Sequence, residues 1–296
     1  MTRTRAKGHD LRSICDHVGI SRQAYYQRVR SSSEKAVLYE QAEEVVLKNR
    51  GVRSRAGLRT IWHKESLHTL LGLNQFEKQM SLRGLALKPY RSRTRTTDSR
   101  GHRYKFPNLI SGMAVNGENQ VIVGDITYYQ TGGKLYYIFH FMDIYTLEPK
   151  GLIADTTMDG VNAEKCLRQV FGYNGKSDYG HQLILHTDGG GQYRSHRFQK
   201  LLRDAKIRPS HAQNCLENGL SERVNGIIKN EYLVDYDIKN VAQLNSALKK
   251  IKHAINEVWP SKALGYRTPK QYAAYVRALP REERPIKTIK IVEWET

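Results

Sequence analysis

The stretch "HQLILHTDGGGQYRS" (181–195) runs from an apolar segment into a carboxylate, three glycines and a helix-like continuation. The short apolar run before a glycine turn reads as a buried β-strand. Glycine supplies a tight, open turn that a bulky residue would close to a neighbouring group. Asp188 therefore stands where a strand leaves the core. A carboxylate there is costly unless it is paired, solvated or bound to a cation. Strand, glycine turn and helix in succession point to an α/β chain with a site at the strand end.

Upstream lie "VIVGDITYYQ" (121–130), "KLYYIFHFMDIY" (134–145) and "PKGLIADT" (149–156), β-branched and aromatic runs of which the first two are joined through "TGGK". Downstream the pattern alternates. It predicts helices over 158–171, 195–205, 216–233 and 241–258, and a short strand in "KIRPSH" (206–211). A meander followed by strand–helix alternation predicts a mixed sheet with helices on its faces. Asp125 interrupts the first strand. Glu222 sits on the helix over 216–233, whose apolar stripe is Leu220, Val224, Ile227 and Ile228. On an α-helix Glu222 and Lys229 lie about 20° apart on the opposite polar face. Asp125, Asp188 and Glu222 together offer hard oxygen ligands for two Mg²⁺ ions, with Mn²⁺ as a substitute. Asp143 is expected to serve as a hydrogen-bonding residue, Asp155 to end its strand, His186 to be structural, and Glu217 and Asn218 to cap the helix.

The charge balance names a partner. Lys and Arg outnumber Asp and Glu 48 to 29, a formal net charge of +19. Residues 1–110 hold 23 of the basic residues against 9 acidic ones, so the surplus is concentrated in one part of the chain. That distribution suits a nucleic-acid-binding region joined to a more neutral α/β half. Residues 10–30 read as helix, turn, helix: Leu11, Ile14, Cys15 and Val18 form a stripe, Gly19 turns, and Ser21 caps a second helix carrying Arg22, Gln23, Tyr26, Arg28 and Arg30 for duplex DNA. A separate helix is expected over 34–48 after the "SSSEK" break. The division expected is 1–50 and 51–88 for two helical DNA-binding units, 89–118 for a basic linker in which Arg91, Arg93 and Arg95 track phosphates, 119–260 for the core and 261–296 for a tail. Three cysteines without paired spacing exclude a disulfide framework and a zinc finger. No apolar run is long enough to span a membrane, and the basic N-terminus carries no signal peptide. A cytoplasmic, nucleoid-associated protein is expected.

Four ordered blocks, "VGDITYY", "LHTDGGGQYRSHRFQKLL", "ENGLSERVNGIIKNE" and "ALGYRTPKQY", resemble the signature blocks of OrfB-type transposases of the insertion-sequence-three family, whose core is similar to retroviral integrases. The resemblance implies a ribonuclease-H-like core with an Asp-Asp-Glu triad binding two divalent metals, carried here by Asp125, Asp188 and Glu222, and a helix cation at Lys229. It implies a transposase acting on double-stranded DNA, the terminal inverted repeats and the target, as a homo-oligomer on paired ends, with the product of an upstream reading frame as a further partner. A DNA-binding regulator descended from such an enzyme is the alternative, and a ribonuclease-H-like nuclease the third. If the basic part supplies recognition, removing residues 1–110 abolishes end-specific binding and flattens the dependence of affinity on salt, measured by fluorescence anisotropy across a salt series.

Overall fold

The computed structural model describes residues 10–88, 106–212 and 219–289, and they form two compact units. The described residues up to 52 together with 57–87 make the first; residues 53–56 and those from 88 onward make the second. Arg91, Arg93 and Arg95 lie outside the described residues, as do Glu217 and Asn218.

The first unit is helical. α1 (Leu11–Val18) starts where the Asp10 carboxylate accepts the Ser13 N–H at 2.7 Å and stops at Gly19, whose φ of 72° favours glycine. Ser21 Oγ accepts the Ala24 N–H at 3.1 Å and opens α2 (Arg22–Val52). Two expectations need correction. The stripe of α1 buries Cys15 but leaves Ile14 and Val18 exposed. The break expected at "SSSEK" is absent: α2 is one helix of 31 residues. Ser33 returns its hydroxyl to the Val29 carbonyl (3.1 Å) and Arg30 pairs with Glu34 across one turn (3.0 Å), so the serines are absorbed without ending the helix. α3 (Leu58–Lys64) and α4 (Leu73–Leu82) close the unit over Ala42, Val46, Ile61, Leu67, Leu71, Phe76 and Met80.

In the second unit, β1 (Ala114–Val115) precedes β2 (Val121–Thr131), β3 (Lys134–Asp143) and β4 (Pro149–Asp155), a meander, and then α5 (Gly160–Asn174). β5 (Ile184–Thr187), the short α6 (Gly191–Arg194), α7 (His196–Asp204) and β6 (Arg208–His211) follow. The sheet order is β4-β3-β2-β5-β6, with β5 and β6 parallel to β2 and the meander antiparallel. This mixed five-stranded sheet is the α/β, ribonuclease-H-like architecture. One face carries Ile122, Phe139, Phe141, Leu183 and Leu185 against α5 and α7. β2 and β4 pack their other face on α8 (Gly219–Ile227) and α9 (Val241–His253).

Asp143 fulfils its hydrogen-bonding expectation. Fully buried, it accepts N–H bonds from Asn119 (2.6 Å), Tyr145 (2.9 Å) and Thr146 (2.9 Å) and lies 3.6 Å from the buried Lys150 ammonium. Both sheet edges are covered. On β4 the Asn245 side chain accepts the Ala154 N–H (2.9 Å) and donates to its carbonyl (2.8 Å). On β6, which contains Pro209, the Pro107 carbonyl accepts the His211 N–H (3.3 Å) and Ser210 Oγ accepts the Leu109 N–H (2.8 Å).

The stretch 261–296, expected as a tail, instead contains α10 (Pro269–Ala278), which opens on a capping box of Thr268 and Gln271 with proline in its first turn. β7 (Lys287–Thr288) pairs antiparallel with β1 and so ties the end of the described residues to the second unit.

At Gly151 on β4 a Cβ would lie 2.5 Å from the Cys166 carbonyl of α5. Gly151→Ala should therefore force helix from strand and cost about 1–3 kcal/mol, read as a lower urea midpoint at unchanged slope.

Candidate active site

β2 and β5 run parallel with Val121 beside Ile184, Ile122 beside Leu185 and Val123 beside His186. Two residues further along each strand, the same offset sets Asp125 beside Asp188, one position past the end of β5. Neighbouring strands lie about 4.8 Å apart, and lateral neighbours project to one face. The two aspartates therefore stand side by side where β5 ends against the middle of β2. Asp125 is partly buried and Asp188 exposed.

The glycines of 189–191 do unequal work. Gly189 has φ 72°, and a Cβ there would lie 2.9 Å from the His211 ring, so both conformation and space call for glycine. A Cβ at Gly190 would meet only the flexible Gln192 side chain, and Gly191 has open space. The turn brings the Gly190 N–H to Asp188 Oδ1 at 3.0 Å, which fixes the carboxylate at the strand end. His186 is structural as expected: its fully buried ring shares a 2.9 Å hydrogen bond between Nδ1 and Ser210 Oγ. Asp155 ends β4, accepting the Thr156 N–H at 2.7 Å, and lies 3.7 Å from Lys165.

Glu222 comes from α8. Ser221, Val224, Asn225 and Ile228 are buried at helical spacing, Ile227 is half-buried, and Glu222 is exposed beside them. The buried face is thus more polar than the expected apolar stripe. The long α-helix expected over 216–233 also needs correction, because after Ile227 the chain widens into a π-helical turn, Ile228–Tyr232. The seven-residue spacing that placed Lys229 over Glu222 assumed an α-helical period throughout, and that period ends at Ile227. The Lys229 ammonium lies 5.2 Å from the centre of the Tyr128 ring, a cation–π contact toward the exposed end of β2.

Electrostatics tie the three acids together. Burial, then the charge of Asp188 and more weakly that of Glu222, push the Asp125 carboxyl up to about 7, against a 2.9 Å hydrogen bond from Asn225 Nδ2 to Asp125 Oδ2. Beneath them Tyr193 is fully buried, and its phenol is raised far above its ordinary range by burial and by Asp188 and Asp125. Among the described residues no three His, Cys, Asp or Glu side chains already form a cage for an ion. The donor set is nevertheless all carboxylate, and crowding keeps Asp125 from ionising easily, the field that a divalent cation relieves. Asn225, Tyr193 and His140 escaped the sequence reading. Asn225, three residues after Glu222 on one helix, carried a usable spacing signal. The exposed Arg22, Gln23, Tyr26, Arg28 and Arg30 lie on α2, in the other compact unit.

The chain is similar to several known proteins. The family described as Integrase core domain matches residues 115–214, and a second family of that description matches 203–269. A transposase for insertion sequence element IS904 from Lactococcus lactis is 26% identical over 246 residues, covering 82% of this chain and 95% of its own. The putative transposase InsK for IS150 from Escherichia coli is 26% identical over 265 residues, covering 86% and 89%. Among solved structures, the HTLV-2 integrase catalytic core domain in complex with magnesium (trimeric form) covers 58% of this chain and 99% of its own, at 22% identity and a TM-score of 0.43. No helix among the described residues is long and apolar enough to cross a membrane.

A raised folded-state pKa means that Asp125 contributes stability fully below the ordinary carboxylate pKa of 3.8 and loses it as pH rises through about 7. Asp125→Asn should therefore melt above the parent at pH 8 in EDTA, and the gap should close toward pH 4. Calorimetry across that range checks this, and parallel melting curves at every pH would refute it.

Proposed function

We propose that the chain, which is similar to insertion-element transposases and carries an integrase-like core, cleaves the ends of its element and joins them to target DNA by phosphoryl transfer. The observation that supports this most directly is the β2–β5 register that sets Asp125 beside Asp188, with α8 delivering Glu222 from across the same face. These three carboxylates would hold two Mg²⁺ ions, or Mn²⁺ in their place. When bound, such ions supply activation of a water or 3′-hydroxyl and charge stabilisation for the leaving oxygen of an in-line displacement at phosphorus.

The rest is the work of the chain itself. The Asn225 amide holds Asp125, and the Gly189–Gly190 turn holds Asp188. The Lys229 ammonium on Tyr128 offers a positive charge to a phosphate near the exposed end of β2. Arg22, Gln23, Tyr26, Arg28 and Arg30, exposed along one helix, present a surface for duplex DNA, and Arg91, Arg93 and Arg95, outside the described residues, are the linker cations assigned to phosphate contact. The reading assigns recognition to 1–50 and 51–88, a linker to 89–118, chemistry to 119–260 and a tail to 261–296. The DNA is double-stranded: terminal inverted repeats and a target. Two ends must be held together while one chain offers one triad, so the working form is a homo-oligomer on paired ends, with the product of an upstream frame as a further partner.

Asp125→Asn and Glu222→Gln should each reduce Mg²⁺-dependent cleavage and joining of a labelled element-end duplex to background. Both should still shift that duplex in a native gel. Full Mg²⁺-dependent cleavage by either variant would overturn the assignment.

A further inference from the structure

Directly across the β2–β3 ladder from Asp125 stands His140. Opposed residues of an antiparallel pair share a face, so the ring and the carboxylate project to the same side. The alternation supports this, because Phe139 and Phe141, flanking His140, enter the core on the other face. The His140 ring has no solvent exposure, and neither of its nitrogens makes a hydrogen bond. A buried neutral imidazole carries one N–H donor and one acceptor nitrogen.

The side chain that meets Asp125 from the facing helix is Asn225. Its Nδ2 donates to Asp125 Oδ2 at 2.9 Å, while its buried Oδ1 has no partner. The amide is therefore half satisfied. Turned over, it would aim Oδ1 at a carboxylate and repel it. A donor placed against Oδ1 prevents that turn, and His140 is a buried donor in want of an acceptor.

We propose that His140 is a positioning residue for Asp125: a ring N–H donates to Asn225 Oδ1, which locks the amide with Nδ2 toward Asp125 and fixes the carboxylate for a cation. This rests on the reading of Asp125 as a metal-holding residue. A histidine that merely filled the core would be replaced at no loss by an apolar side chain of similar size, since that removes buried unpaired polar atoms. The positioning role instead requires a donor at 140. Groups that orient a metal's ligands change affinity by about 10–100-fold when removed.

The test uses the full chain and Mn²⁺ alone, titrated by calorimetry, with thermal midpoints in parallel. His140→Leu should fold with a midpoint at or above the parent's and bind Mn²⁺ at least about tenfold more weakly. His140→Gln, which keeps an N–H donor, should recover most of that loss. Unchanged Mn²⁺ affinity in His140→Leu, or equal weakness in the glutamine variant, overturns the proposal. Should the leucine variant not fold, the ring N–H resonance of His140 decides: it must move upfield in Asn225→Leu, which removes its acceptor, and an unmoved resonance overturns the hydrogen bond. Asp125→Asn is the control for the underlying reading. Mn²⁺ binding that survives it refutes the metal site itself, and the ring resonance then judges the hydrogen bond independently.

Discussion

Two aspartates 63 positions apart in the chain become neighbours through hydrogen bonds that neither of them makes. The parallel pairing of Val121, Ile122 and Val123 with Ile184, Leu185 and His186 sets the stagger between β2 and β5. A slip of one residue would send Asp188 to the opposite face. What holds the stagger is apolar: Ile122 and Leu185 share one core with Phe139, Phe141, Leu183 and the helices behind them, and the slip would drive those side chains outward. The position of the charges is thus enforced by residues that carry none. The sheet buries Asp125 and brings a like charge beside it, and burial first, then Asp188, makes it resist ionisation.

Around this pair the molecule divides its labour by face. Phe139 and Phe141 supply packing, while the residues between and beside them, His140 and Asp125, face a polar seam closed by Asn225. Placing a seam of polar side chains inside a folded unit exchanges some stability for a defined orientation, since each buried polar atom must find its partner or cost free energy. The far end of β3 shows the satisfied version. There Asp143 receives three backbone N–H groups, and the Lys150 ammonium donates to Asn119 (2.6 Å) and Asn174 (2.9 Å).

Much of this was legible in the sequence. The β-branched runs gave the strands, the glycine block after "LIL" gave the turn, a carboxylate interrupting an apolar strand gave Asp125, and one at a strand end gave Asp188. What escaped reading has physical causes. Helical periodicity does not report a change from α to π, so the contact of Lys229 with Tyr128 was not legible from the spacing. Serines suggest a break, yet Ser33 binds back to Val29 and the helix continues. The capping box of Thr268 and Gln271 was visible in "TPKQ" but was read as tail. His140 and Asn225 belong to one cluster because of register and helix placement, and neither is written in the spacing of residues 85 positions apart.

The covered sheet edges matter most when the protein is crowded. With a formal net charge of +19, copies in solution repel one another, and that repulsion opposes association through exposed backbone. A polyanion cancels it. On a neutralising surface where copies accumulate, a bare strand edge would template pairing with the next molecule and convert assembly into aggregation. Asn245 occupies both backbone groups of Ala154 on one edge, while Pro209 and the segment around Pro107 occupy the other. Edge cover of this kind does not depend on charge, so it opposes strand-to-strand pairing of the five-stranded sheet even where the polycation is concentrated on its counterion.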